Sequence, residues 1–185
     1  MINMKHFNNA IYIIILILFI IPLKGTSQND NTVDSTAHEL MSAAREIMAV
    51  AGNCALITLD DKDLPMVRVM DPFPPESDFT VWFGTNSRSR KVHQIRNNPI
   101  VTLYYLDSNA TGYVVIHGIA NLVNDPMEKD KRWKPQWEAF YPNEREDYLL
   151  IKVSPEWMEV LSTTRGILGD PTTWQTPTVI LDSNK

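Results

Sequence analysis

Chemistry in this sequence is concentrated where an aromatic strand runs into hydroxyls and cations, in Phe83-Gly-Thr-Asn-Ser-Arg-Ser-Arg-Lys-Val-His-Gln-Ile-Arg-Asn-Asn-Pro99. Ser87 and Ser89 offer hydroxyl donors, and Arg88, Arg90 and Lys91 add positive charge in the same turn. A short helix is predicted to start there and to end before Pro99. A helix N-terminus presents unpaired N–H groups and a partial positive charge, and so attracts anions. Arginine can grip a phosphate through two parallel bonds. These residue types at this spacing fit a phosphate cradle; a solvated basic loop with a serine N-cap has the same composition. Arg68 is a second cation of interest. It alternates with Val67 and Val69 and shares a strand face with Met66 and Met70. It is either an edge residue reaching solvent or a lining residue facing an anion.

The other candidates have plainer readings. His93 reads as a surface residue, and His117 as a hydrogen-bonded core or surface histidine. Glu128 and Asp130 read as helix-face charges, and Cys54 as a small buried hydrophobe. Trp133, Trp137 and Phe140 recur at i, i+4 and i+7 and read first as a packing stripe. The sequence has no Ser/His/Asp order, metal-spaced histidine pair or glycine-rich dinucleotide fingerprint. No metal site is expected and no catalytic residue is assigned.

The elements that must position these residues are mostly strands. Thr36-Ala-His-Glu39 has the form of a capping box, and Leu40, Ala43, Ala44, Ile47 and Met48 follow at helical spacing, predicting a helix over 37–51 that Gly52 stops. Strands are predicted at 54–59, 65–70, 79–84, 100–106, 113–123, 148–153 and 157–161, with Gly118 marking a bulge or bend. Short helices are expected at 90–98 and from Asp125-Pro126 onward, the latter carrying the tryptophans. Short strands joined by tight turns argue for a barrel. The expected class is mainly β with peripheral helices (α+β), in one domain over 36–165 followed by a tail at 166–185.

Composition limits what such a domain can do. The chain has 185 residues, of which 44% are hydrophobic and 21% charged, and a formal charge of −5. That excludes a disordered tail, a collagen-like rod and a multi-pass membrane protein. The acidic balance argues against a global grip on nucleic acid, and the lone Cys54 excludes an intramolecular disulfide framework. Residues 1–27 read as a secretory signal peptide: Lys5 and His6, an unbroken apolar run from Ala10 to Ile21, then Gly25 and Ser27 at −3/−1 spacing. Those twelve apolar residues span about 18 Å as a helix, short of a ~30 Å hydrocarbon core. An uncleaved anchor is the alternative. Residues 28–35 read as a polar tether. Without residues 1–27, which hold Lys5 and Lys24 and no acid, 15 basic and 22 acidic residues remain and the charge is −7. The expected location is outside the inner membrane, in the periplasm, with no membrane contact after cleavage.

Several of these stretches together resemble one family. They are Arg68-x-Met70, the proline loop 72–75, Phe79-x-Val-Trp-Phe-Gly-Thr85, Ser89-Arg-Lys-x-x-x-Ile-x-x-Asn-Pro99 and the Val-x-Leu-x-Tyr105 strand. Over about residues 38–165 the chain resembles the pyridoxamine 5′-phosphate oxidase-like superfamily of FMN-binding split β-barrels, and within it the general stress protein type. Trp133, Trp137 and Phe140-Tyr-Pro142 are similar to a stretch of that subgroup. The resemblance implies a homodimer with FMN at the subunit interface. It implies that Arg68, Ser89, Arg90 and Lys91 contact the FMN phosphate. Val69 and Met70 would then pass the ring through their backbone, and Phe83, Gly84 and Thr85 would line the isoalloxazine pocket. The tryptophan stripe could wall the flavin ring. The superfamily's vitamin B6 oxidase ends in an Arg-x-His motif, and Arg165 has no histidine two residues on, so that oxidation is not expected. A flavin oxidoreductase acting on an unidentified small molecule is the leading expectation. The alternative is a non-catalytic barrel that binds haem, a deazaflavin or another planar anion.

Overall fold

The computed structural model describes residues 29–181 apart from 142, 144 and 145. The segment read as a signal peptide lies outside the described residues. The elements in chain order are α1 (Asn29–Ala51), β1 (Cys54–Leu59), β2 (Pro65–Met70), β3 (Val81–Asn86), α2 (Arg90–Asn97), β4 (Ile100–Leu106), β5 (Gly112–Val123), α3 (Pro126–Lys131), β6 (Tyr148–Ser162) and β7 (Thr178–Ile180). All strand pairs are antiparallel, in the order β2-β1-β4-β5-β6-β3, with β7 also on β6.

The sheet divides at β6. The first half of β6 pairs with β3, from Val81↔Val153 to Asn86↔Tyr148, and the second half pairs with β7, from Trp157↔Ile180 to Glu159↔Thr178. The divide falls at Pro155, which cannot donate to a ladder. The facing strand shifts register there, between His117 and Gly118. Gly118 is the bulge that the sequence marks, because a Cβ there would stand 2.3 Å from the Ser154 carbonyl oxygen. The stretches read as separate strands at 148–153 and 157–161 are therefore one bent strand. The other edge closes through the Pro72–Phe83 bridge, where Phe73 N donates to Trp82 O at 2.9 Å. The result is a split barrel.

Three further expectations shift. α1 begins at Asn29, within the stretch read as a tether, so Thr36 lies inside the helix rather than capping it. β3 starts two residues later than expected. Phe79 takes a left-handed turn conformation (φ 65°) and packs its ring in the core, while Asp78 accepts from Thr80 N at 2.9 Å. The tryptophan helix breaks at Pro135. α3 ends at Lys131, and a separate 3₁₀ turn covers Pro135–Phe140.

The core fills the barrel with alternate residues of each strand, among them Leu56, Phe83, Leu103, Ile116, Ile151 and Met158. Leu40, Ala43, Ala44, Ile47 and Met48 of α1 cap one end, as their spacing requires. The tail joins the sheet through Val179 and Ile167, both buried. Replacing Gly118 with alanine overpacks the bend. Overpacking of this kind costs about 1–3 kcal/mol, so the urea midpoint of Gly118→Ala should fall with an unchanged denaturant slope.

Candidate functional site

α2 begins where β3 ends, and this junction sets three cations against one another. Arg68 sits on the inner face of β2, opposite Leu56. Its guanidinium donates to Thr58 Oγ1 at 2.7 Å and to Gln94 Oε1 at 2.8 Å, and the Thr58 hydroxyl donates to the same Gln94 oxygen at 2.6 Å. Thr58 and Gln94 are buried. The arginine is thus held inward by a rigid neutral pair, which decides between its two sequence readings. Lys91 Nζ donates to Thr85 Oγ1 at 3.0 Å, and the Thr85 and Ser89 hydroxyls lie 3.2 Å apart. Ser89 has N-cap backbone geometry but makes no side-chain capping bond, so its hydroxyl stays with Thr85.

The electrostatics are unusual for an acidic protein. Burial first, and then the Arg90 charge, lower the pKa of Arg68. Burial first, and then Arg68, hold the Lys91 ammonium below its usual range. Among the described residues, no ion pair involves Arg68, Arg90 or Lys91. By contrast Arg88, from the same segment as Arg90 and Lys91, points outward and pairs with Asp147. A lysine with a depressed folded pKa disfavours its own charged form in the fold. Below the folded pKa that penalty is present in full. It fades only as pH rises through the folded pKa toward 10.5. Three cations without a counter-ion fit a multiply charged anion.

Beside this cluster lies an open cleft of about 550 Å³. Val69, Met70, Gly84, Thr85 and Lys91 line it, all of them expected site residues, and so do Asp71, Asn86, Trp137, Phe140 and Tyr141. Ser89 adjoins it through Thr85 and Arg68 through its charge on Lys91, while Arg90, exposed at the start of α2, meets the cluster through its charge on Arg68. Phe83 does not reach it, because its side chain points into the core and is fully buried. Inward and outward residues alternate along β3, so Phe83 and Gly84 cannot face the same side. His93 stays on the surface, 3.4 Å from Asp61. His117 stacks on Trp157, with ring centroids 3.8 Å apart, and does not line the cleft.

The far wall is aromatic and firmly held. Trp137 packs over Gly84, where a Cβ would stand 2.4 Å from the indole, so only glycine admits it. Trp133, Tyr141 and Tyr148 meet at ring distances of 5.2–5.7 Å. Lys134 Nζ ties the wall to the β2 end through Asp71 Oδ1 at 2.7 Å, and lies over the Phe73 and Trp137 rings. Arg132, almost fully buried, stacks 3.7 Å over Trp82 and pairs with Glu76 and Glu128. Asp71, Asn86 and Tyr141 were not found from sequence, and neither were Thr58 and Gln94. For Gln94 a signal existed, since it lies three residues after Lys91 on the same helix face.

A basic cluster beside an aromatic-walled cleft, on a split barrel, has the form of a small-ligand site. Residues 39–170 match the profile "Pyridoxamine 5'-phosphate oxidase like", and the chain belongs to that family. Among solved structures, it is similar to a general stress protein 26-related protein of the pyridoxinephosphate oxidase family from Clostridium acetobutylicum. Identity is 19% and TM-score 0.63, covering 79% of this chain and 96% of that one. It is also similar to general stress protein 26 from Bacillus anthracis, at 23% identity and TM-score 0.56, covering 68% and 93%. A haem binding protein from Mycobacterium smegmatis shares the fold at 11% identity and TM-score 0.55, covering 75% and 56%. None of the curated proteins matches the sequence.

Removing one uncompensated charge should not harm the empty protein. Lys91→Met should leave its stability unchanged or raise it by up to about 1 kcal/mol. Inorganic phosphate should stabilise the wild type but not the variant in calorimetric melts.

Proposed function

We propose that this chain is an exported flavoprotein that holds FMN in the cleft and acts as an oxidoreductase on a small molecule, as a homodimer. One observation carries the reading: among the described residues Arg68, Arg90 and Lys91 act on one another with no ion pair to a carboxylate, beside a cleft of ligand size. The residues present fit the cofactor. The cluster suits a phosphate dianion, the hydroxyls of Thr85 and Ser89 add polar contacts, and Trp137 offers a flat face. Bound FMN would supply the electron transfer that no side chain here provides. Lys91, anchored on Thr85, would keep positive charge at the cleft and favour a developing anion there. Trp137 and Phe140 would exclude water from one side, while Phe140, 73% exposed, leaves room for a second molecule to enter.

The dimer reading rests on the outer face of β2, β1, β4 and β5. Register places Val67, Ile57 and Thr102 in one row and Val69, Ala55, Tyr104 and Val115 in the next. Val67 is 65% and Val69 is 74% exposed. A contiguous apolar face of this kind favours a protein partner, and Val69 carries it to the lip of the cleft. A second copy would therefore complete the ligand site. The export reading rests on residues 1–27 alone, and FMN would have to be loaded before or after translocation. Haem is the weaker reading, because among the described residues no histidine lines the cleft to serve as an axial ligand.

Arg90→Ala with Lys91→Ala should weaken FMN about 100-fold, as two charge-assisted bonds are lost. Riboflavin, which lacks the phosphate, should change less than about threefold. Fluorescence quenching titrations measure both, and equal losses reject the phosphate role. Val67→Lys should convert the dimer to monomer in sedimentation velocity and weaken FMN as well. A wild type that is monomeric at all concentrations rejects the interfacial site.

A further inference from the structure

We infer that the Tyr141 hydroxyl is the donor through which the cleft recognises a carbonyl oxygen on a planar ring. This role presupposes that the cleft is a ligand site, as proposed above, and concerns the ring of the ligand rather than its phosphate. Tyr141 follows the 3₁₀ turn that carries Trp137 and Phe140, and lines the cleft with them. It is 8% exposed, and among the described residues its hydroxyl makes no hydrogen bond. Buried polar groups are almost always partnered, and an exception needs an explanation. The neighbouring Tyr148 shows the ordinary case: it is fully buried, and its hydroxyl donates to the Arg132 carbonyl oxygen. The Tyr141 hydroxyl differs in keeping an opening to solvent, and the cleft is the space that its residue lines.

The side chains that line the cleft have little to offer this hydroxyl. Thr85 Oγ1 already accepts from Lys91, Asp71 Oδ1 from Lys134, and Asn86 Oδ1 from Arg88 N at 2.9 Å. With these acceptors engaged, and with Lys91 and Tyr141 supplying donors, the lining calls for a ligand rich in acceptors. Burial raises the pKa of Tyr141 above its ordinary value, so the phenol keeps its proton to donate at neutral pH. The phosphate is the share of the three cations. Tyr141 belongs instead to the aromatic wall with Trp137, against which a flat ring would lie, and so meets an oxygen carried on that ring. The donor is also set before a ligand arrives. Its ring centroid is 5.7 Å from that of Trp133 and 5.2 Å from that of Tyr148, and its backbone N–H donates to Glu138 O at 3.3 Å. A group fixed in this way loses little freedom on binding. Two rings could carry the oxygen: the flavin itself, or a second molecule that enters beside Phe140.

Two measurements separate these sources, each made on the wild type and on Tyr141→Phe, which deletes a hydroxyl without a protein partner and so should fold. Riboflavin titrated into the flavin-free protein, followed by fluorescence quenching, reads the flavin ring. Acetonaphthone, a planar ketone, and ethylnaphthalene, which lacks the oxygen, are titrated into the flavin-free and the FMN-loaded protein and followed by ligand-observed NMR. Loss of one hydrogen bond should weaken the recognised ring about tenfold and leave ethylnaphthalene unchanged. A loss of that size for riboflavin assigns the oxygen to the flavin, and the same loss for acetonaphthone on the FMN-loaded protein assigns it to a second molecule. The role is overturned if Tyr141→Phe weakens neither riboflavin nor acetonaphthone, or weakens acetonaphthone and ethylnaphthalene alike. A wild type that binds neither riboflavin nor FMN rejects the flavin reading alone, since the ketone and the hydrocarbon on the flavin-free protein still decide the role of Tyr141.

Discussion

The site depends on a cation that pairs with no carboxylate among the described residues. Arg68 is fixed by two neutral oxygens, Thr58 Oγ1 and Gln94 Oε1, and faces Arg90 and Lys91. Neutral partners hold the guanidinium in place without cancelling its charge. A carboxylate at either position would have cancelled one of the cluster's three charges. The field is retained at some cost to the fold, and a bound phosphate can return that free energy. Elsewhere the molecule pairs its cations in the ordinary way, as Arg132 does with Glu76 and Glu128, and Lys134 with Asp71. The contrast separates structural charge from binding charge.

The paired cations hold up the other side of the cleft. Arg132 and Lys134 fasten a short, irregular segment onto the barrel through both charge and ring faces. Cation–π contacts add to the ion pairs here. The segment lacks a regular helix because Pro135 interrupts it, so side-chain fastening replaces backbone regularity. Gly84 completes the fit by leaving the volume that Trp137 occupies. A rigid aromatic wall opposite a fixed charge suits a flat ligand with an anionic tail, which is the common ground between FMN and the other planar anions considered.

The barrel's split comes from one bend. Pro155 and Gly118 bend β5 and β6 together, so that the halves of β6 serve different neighbours. Closure at the other edge falls to one bridge at Pro72 rather than to a full ladder. The loop that makes this bridge carries Phe73 against Trp137 and so backs the aromatic wall of the cleft.

By itself the sequence determined the period and the punctuation. Strand alternation, the apolar spacing of α1 and the Ser-Arg-Lys run at a helix start are local patterns, and local patterns are legible because each residue's immediate neighbours decide them. The glycine at 118 was readable as a bend for the same reason. Tertiary structure decided what is paired across distance. It turned Arg68 inward, chose Gln94 to hold it, sent Phe83 to the core while leaving Gly84 beside the cleft, and drew the tail into the sheet through Val179. It also set the buried Tyr105 hydroxyl beside the Cys54 thiol. None of these follows from spacing along the chain, because each depends on which strand lies beside which, and barrel closure alone fixes that.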